Sequence, residues 1–306
     1  MSEILSAFDA PMVVSMEQSD DKKVSTYTRS KMDRTFKSTI KINQLDKGED
    51  DGFVGGGIDA TTNEYFDYMI VVDGHGGSAC IQYLRSLRYA MDDIMALQEP
   101  EKELQRLISL NNIPIRSGST FLCAKIFHNR IECRSVGDSE VFVFKNDELV
   151  AKNAVHNLTN LEECYRVKDI PTSRSWSYRV ISPTDIMHFR GTYIHFEGGV
   201  QLSMTQSIGH HGLTGIIPDV KIVPLETGDK YRIVMFSDGF GNMFLETHQE
   251  DMDNLKTKTA EELVDIGEAR WKKKWSYKRS PVDETVLLSY EGYDDIVVGV
   301  VEGTVM

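Results

Sequence analysis

Apolar runs that stop abruptly at an aspartate and a glycine recur along this chain. Tyr68 to Val72 reads as a short buried strand, closed by Asp73-Gly74-His75-Gly76-Gly77. Residues 231–236 repeat the pattern and close on Asp238-Gly239. Residues 131–136 alternate apolar and polar before Gly137-Asp138-Ser139; near the C-terminus the order inverts, and Asp294-Asp295 opens the buried run 296–301. Residues 119–128 and 130–136 predict two strands around Asn129-Arg130, and 140–145 with 148–151 predict a hairpin around Asn146-Asp147. Cys80, Leu84, Leu87, Met91 and Ile94 fall at spacings of four and three, which predicts one helix over about 78–97, capped by Ser78. A second helix is expected over 259–275, its end marked by Lys272-Lys273-Lys274, where cations suit the helix C-terminus. Many short strands with two long helices fit a sheet-on-sheet core covered by helices.

The aspartates change the picture. Taken singly, Asp73, Asp138, Asp238 and Asp294 each read as an ordinary turn residue. Strand ends at one rim of a sheet can converge, and four carboxylates gathered there are tolerable only if cations neutralise them. Oxygen-only ligands favour hard divalent ions, Mg²⁺ or Mn²⁺. None of the cysteines has zinc-ligand spacing.

In order along the chain, VVDGHGG at 71–77, SGST at 117–120, SVGDS at 135–139, GGVQLSMTQSIG at 198–209, IPDV at 217–220, MFSDG at 235–239 and YDDIVV at 293–298 resemble the motifs of the protein phosphatase 2C family. Glu49-Asp50 stands where that family has its N-terminal acidic pair. The resemblance implies an α+β fold, a four-layer α/β/β/α sandwich of two antiparallel sheets packed face to face and flanked by helices. It implies a phosphoprotein phosphatase acting on phosphoserine and phosphothreonine with two Mn²⁺ or Mg²⁺ ions and a weaker third. Asp73 would bridge two ions and the Gly74 carbonyl would bind one of them. Asp238 and Asp294 would complete the second ion's ligand set, Asp138 would serve the third ion, and Glu49 and Asp50 would act through metal-bound waters. His75 matches the residue that protonates the leaving alkoxide, and an imidazole with its ordinary pKa near 6.5 carries a proton at neutral pH. Two metal ions about 3.5–4 Å apart lower the pKa of a bridging water and present it to phosphorus.

The chain departs from the family pattern at supporting positions. Leu45 stands where an arginine usually grips the phosphate; Lys47 or Arg34 could substitute, though a lysine lacks the bidentate fork. Thr205-Gln206 and His210 replace the serine-arginine pair and aspartate of the family's SRxxGD stretch. His210-His211 reads as a solvated loop pair. Asn242 and Glu140 replace a further aspartate and arginine. The retained Asp73, Asp238 and Asp294 favour an active enzyme over a binding scaffold for a kinase or phosphoprotein, and a hydrolase of small phosphoesters shares the same core.

A polar N-terminal segment, 1–35, is expected to precede a single catalytic domain over 36–306. Residues 15–35 read as a solvated loop or flexible arm. Residues 152–197 read as a variable flap beside the site, with Arg174 and Arg179 in a surface loop. The net charge of −13 argues against nucleic acid or anionic membrane as partners. No basic segment precedes an apolar one at the N-terminus, and no run approaches the roughly 20 residues that span a bilayer. The four cysteines read as reduced thiols, so a cytoplasmic or nuclear monomer is expected, with a phosphoprotein as its substrate.

Overall fold

The computed structural model describes residues 13–19, 22–31, 34–44, 47–180, 186–196, 199–272, 275–278 and 294–306. Two seven-stranded antiparallel sheets form its centre. The first runs, edge to edge, Val13–Ser19, Lys22–Lys31, Arg34–Asn43, Ile296–Val305, Lys230–Phe236, Glu140–Lys145 and Glu148–Lys152. The second is built on Tyr65–His75, paired with Asp50–Ile58 and with Phe121–Ile126, and continues through Arg130–Val136 to Asp219–Pro224. Gly118–Ser119 and Ile208–Gly209 extend it beyond His75.

The apolar runs are continuous because both faces of each sheet are covered. Along Tyr65–His75, Met69 and Val71 face the core between the sheets, among Ile40, Leu122, Val143 and Ile233. Tyr68, Ile70 and Val72 face the other way, onto helices Ala79–Ser86, Met91–Met95 and Pro100–Leu110. On the first sheet, Val298 and Val300 pack with Phe142 and Phe236 beneath helices Gln249–Thr257 and Ala260–Trp271. Helix, sheet, sheet, helix is the layer order, the α+β sandwich expected.

Local differences have physical reasons. The single helix over 78–97 breaks into Ala79–Ser86, a 3₁₀ turn Arg88–Ala90 and Met91–Met95. The apolar stripe survives the break, since Cys80, Leu84, Met91 and Ile94 remain buried, while Tyr89 stands fully in solvent at the turn. Ser78 does not cap: it is already helical at φ −71°, ψ −2°, and its hydroxyl accepts from Gln82 instead. Ser117, remote in sequence, takes the orphan Cys80 N–H at 3.0 Å. Pro100–Leu110, opened by a proline in its first turn, lay outside the sequence reading.

The later helix covers Ala260–Trp271 with a full capping box at Thr259 and Glu262; Lys273 and Lys274 lie outside the described residues. Asn146 and Asp147 turn the expected hairpin at φ 50° and 68°. Residues 15–35, expected as a loop or arm, instead lie largely in strands, where Val24, Thr26 and Thr28 supply the alternating β-branched positions of an edge hairpin. Cys123 and Cys133 lie on opposite faces of the second sheet, so these free thiols cannot pair.

Candidate metal centre

Three chain segments deliver the aspartates to one rim of the sandwich. Asp73 lies two residues before the end of its strand, directly opposite Asp50 in register. Asp238 opens a short helix immediately after Lys230–Phe236, whose neighbour Ile296–Val305 begins just after Asp294-Asp295. A Cβ on Gly239 would lie 1.9 Å from the Asp295 carbonyl, so only glycine lets these two ends close. A Cβ on Gly76, at φ 74°, would meet the Arg116 carbonyl at 1.6 Å; that glycine seals the DGHGG turn against the loop before Gly118.

The backbone beneath Asp73 is braced. Thr120 N–H donates to the Asp73 carbonyl at 2.8 Å, and the Asp73 N–H donates to Thr120 Oγ1 at 3.0 Å. Ser237 Oγ donates to Asp50 Oδ2 at 2.8 Å and accepts from Val297 N–H at 3.1 Å, tying the two sheets together. Glu49 N–H donates to Asp295 Oδ2 at 2.7 Å, while Glu49 Oε1 accepts from Gly77 N–H at 2.9 Å. Thr120, Ser237 and Asp295 were not singled out from sequence. Thr120 and Ser237 carry no signal beyond their places inside SGST and MFSDG, and Asp295 none beyond its place beside Asp294.

The gathered charge is visible in the carboxyls themselves. Burial pushes Asp73 and Asp50 well above the ordinary carboxylate range, and their acidic neighbours push further: Asp50, Asp238 and Asp294 around Asp73, Asp295 and Asp294 around Asp50. Asp138 rises to about 8, from burial and the Asp238 charge; Asp238 rises to about 6, from burial and Asp294. The Asp73 and Asp238 carboxyls lie within hydrogen-bonding reach of each other. Asp138 Oδ1 is buried with no hydrogen-bond donor, and Ser203 approaches its other oxygen at 3.5 Å. Asp73, Asp138, Asp238 and Asp294 thus share one site with Glu49 and Asp50.

An all-oxygen set with surplus negative charge and an orphaned carboxylate oxygen fits a hard divalent cation. Among the described residues, however, no group of three or more His, Cys, Asp or Glu side chains is set to hold an ion. Several carboxylate oxygens are spent on the protein's own donors: Asp50 on Ser237, Asp295 on Glu49, and Asp294 Oδ1 on the Lys47 ammonium at 2.9 Å.

His75 departs from its expected state. Its ring stacks on His210 at 4.7 Å between centroids, and both ring nitrogens are sealed without hydrogen-bond partners. Burial, with His210 beside it, lowers its pKa to about 3, so the ring is neutral at neutral pH. His210 is no solvated loop residue: it is 0% exposed, held at φ 51°, and its Nδ1 bonds the Ile115 carbonyl at 2.7 Å. His211 alone is exposed.

Thr205 and Gln206 are equally buried. Both donate to Glu163, Gln206 at 2.8 Å, and Arg166 completes that carboxylate's shell. Asn242 donates to Asp238 Oδ2 at 3.2 Å, and Glu140 pairs with Lys152 at 3.0 Å. Arg34 is 2% exposed and paired with Asp67, six residues up the strand from Asp73, or about 20 Å. It cannot serve the rim. Leu45 lies outside the described residues, as do the side chains of Arg174 and Arg179. Their strand, Thr172–Val180, belongs to a separate four-stranded sheet with Ile186–His195, Gln201–Leu202 and Trp275–Lys278.

The family model of protein phosphatase 2C matches residues 41–263, which carry all of these aspartates except Asp294 and Asp295. The chain belongs to the protein phosphatase 2C family. Its sandwich is similar to a Caenorhabditis elegans sex-determining protein (TM-score 0.56, 18% identity), covering 94% of this chain and 66% of that one. Serine-threonine phosphatase 2C from Toxoplasma gondii gives a TM-score of 0.53 at 12% identity, over 97% of this chain and 100% of that one. The catalytic domain of the phosphatase PstP, solved with two manganese ions, gives 0.52 at 13% identity, over 89% and 99%. No curated protein sequence matches the chain. Phosphatase 2C proteins are metal-dependent serine/threonine phosphatases, and this one is a divergent member. Among its described residues no helix is long and apolar enough to cross a membrane.

Proposed function

We propose that this chain is a phosphoprotein phosphatase that hydrolyses phosphoserine and phosphothreonine with Mn²⁺ or Mg²⁺. The observation that carries the reading is the convergence of Asp50, Asp73, Asp138 and Asp238 in a pocket where each is forced above its ordinary pKa. A structural cluster would balance such charge with its own donors; this one leaves the Asp138 Oδ1 bare. Asp73, Asp238, Asp294 and the Gly74 carbonyl would hold two ions, Asp138 a third, and Glu49 and Asp50 would orient bound water. When bound, the ions supply Lewis acidity, lowering the pKa of water and neutralising charge that builds on the phosphoryl oxygens.

The protein's own groups hold that arrangement. Thr120 fixes the Asp73 backbone, Ser237 fixes Asp50, and Asn242 fixes the Asp238 carboxylate. His75, neutral and stacked on His210, would donate at most a hydrogen bond to a leaving alkoxide, and the proton itself would come from water. Attack by activated water requires no cysteine or serine nucleophile, so no phospho-enzyme is expected.

The test is release of phosphate from a phosphothreonine peptide with Mn²⁺, with Mg²⁺ and with chelator, beside Asp238→Asn. Metal-dependent turnover that the substitution abolishes is the expected result. A second reading, a binding scaffold for a kinase or phosphoprotein, is favoured by the lysine seated on Asp294 and by the absence of a ready ligand trio among the described residues. Absence of turnover together with absence of calorimetric Mn²⁺ binding would decide for the scaffold.

A further inference from the structure

The rim of the acidic site carries a cation whose partner is itself an expected metal ligand. Lys47 sits two residues before Glu49, and its Nζ lies 2.9 Å from Asp294 Oδ1. Other cations among the described residues are committed elsewhere. Arg85 is anchored on the same loop, donating to Asp51 Oδ2 at 2.6 Å and to the Asp50 carbonyl at 3.0 Å. Lys152 bridges Glu140 and Glu246, and Arg34 is buried against Asp67 on the far part of the sheet. Lys47 differs in being loosely held: its side chain is 54% exposed, and among the described residues Asp294 is its one ion-pair partner.

We propose that Lys47 exchanges partners, holding the Asp294 carboxylate while the metal site is empty and the substrate's phosphoryl oxygens once the site is filled. The inference rests on the phosphatase reading above. One carboxylate oxygen cannot serve an ammonium and a divalent ion together, because the ion sits at roughly 2.0–2.2 Å and repels a second cation at that oxygen. Entry of the ion therefore expels Lys47 from Asp294.

The expelled ammonium stays close, since the residues that follow it are held by Arg85 on the Gly48 and Asp50 carbonyls and by Glu49 N–H on Asp295. A phosphomonoester arriving at the rim brings a charge of about −1.5 to −2, the strongest anion available to it. Lysine suits such an exchange: its ammonium is a rotatable point charge on a flexible stem, where an arginine fork holds one geometry. Lys47 thereby supplies the cation that Leu45 does not.

The two roles predict effects of opposite sign in one variant. Lys47→Met keeps the stem and removes the charge. Calorimetric titration with Mn²⁺ should show binding tighter by up to about fivefold, because an exposed ion pair no longer competes. Inorganic phosphate binding to the Mn²⁺-loaded protein should weaken by about tenfold or more, with KM for a phosphothreonine peptide rising in parallel and kcat changing less. Lys47→Arg should recover most of the phosphate binding. Unchanged or weaker Mn²⁺ affinity in Lys47→Met would overturn the exchange at Asp294, and unchanged phosphate affinity would overturn the grip. A wild-type protein that binds Mn²⁺ and phosphate yet turns over no phosphopeptide would sink the phosphatase reading, while these two binding measurements would still judge Lys47.

Discussion

Two buried polar clusters in this molecule treat their carboxylates in opposite ways. At Glu163, three donors converge on one carboxylate: Arg166 at 2.8 Å, Gln206 at 2.8 Å and the Thr205 hydroxyl. Burial alone would raise its pKa, yet these bonds win and hold it below the ordinary glutamate range. At the rim, Asp138 is similarly enclosed, but Ser203 at 3.5 Å is the one side-chain donor that reaches it among the described residues, and its pKa climbs to about 8. The first cluster is finished by the protein; the second is left for something else to finish. That difference separates a structural polar network from a ligand site more sharply than acidity or burial does.

The comparison is most exposed to Asp238→Asn. Removing one carboxylate from the rim should lower kcat/KM by on the order of 10²–10³ or more, the scale of losing one preorganised transition-state contact. The same change should leave the metal-free protein at least as stable as wild type, because it relieves repulsion with Asp73 and Asp294. Thermal melting in chelator checks the second half; a marked loss of stability there would mean that Asp238 is structural.

Glu163→Ala should behave in the reverse sense. It strands the Arg166 guanidinium and the buried Thr205 and Gln206 donors, at a cost of about 3 kcal/mol. Denaturant unfolding measures that loss, and calorimetric Mn²⁺ affinity of the folded fraction should stay within about twofold of wild type. Equal damage to metal binding would join the two clusters into one.

These regions also differ in how far they could be read from the chain. The rim was legible because each aspartate follows or precedes an apolar run buried on both faces, as with Met69 and Val71 inward and Ile70 and Val72 outward. The Glu163 network was not, because its members lie about forty residues apart and share no periodicity. The His75–His210 stack was missed for the same reason: His210 is placed by left-handed backbone and the Ile115 carbonyl, which are tertiary facts. The helix break at Leu87–Ala90 escaped because the apolar stripe continues across it. Strands Val13–Ser19 and Lys22–Lys31 escaped because their charges read as solvent-facing polarity, whereas an edge hairpin needs only alternate apolar positions.

A pH series sharpens the contrast without mutation. Above about pH 7.5 the buried histidines His75, His156 and His210, all lowered in the folded chain, are neutral folded or unfolded and add almost no slope. Asp138, Asp50 and Asp73 remain raised in the folded chain while their unfolded counterparts have long lost their protons. The folded state therefore binds more protons, and metal-free stability should fall as pH rises from about 7.5 to 8.5, by about 2–4 °C in melting temperature. Saturating Mn²⁺ should abolish or reverse that slope, since metal displaces the protons. A flat profile in chelator would mean the rim carboxylates are balanced by the protein, as Glu163 is.

The smallest expected effect comes from Asn242→Asp. Asn242 donates to Asp238 Oδ2 at 3.2 Å, the one side-chain amide that partly balances this carboxylate. An aspartate, which the phosphatase 2C pattern carries there, would turn that donor into a further acceptor beside existing negative charge. The metal-free protein should lose about 1 kcal/mol from the lost bond and added repulsion, while Mn²⁺ should bind a few-fold tighter because the pocket's charge has grown. Melting with and without Mn²⁺ reads both: the gap between the two temperatures should widen relative to wild type. A gap that narrows would place Asn242 among the groups that hold the metal site open, and would move it from the unfinished cluster to the finished kind.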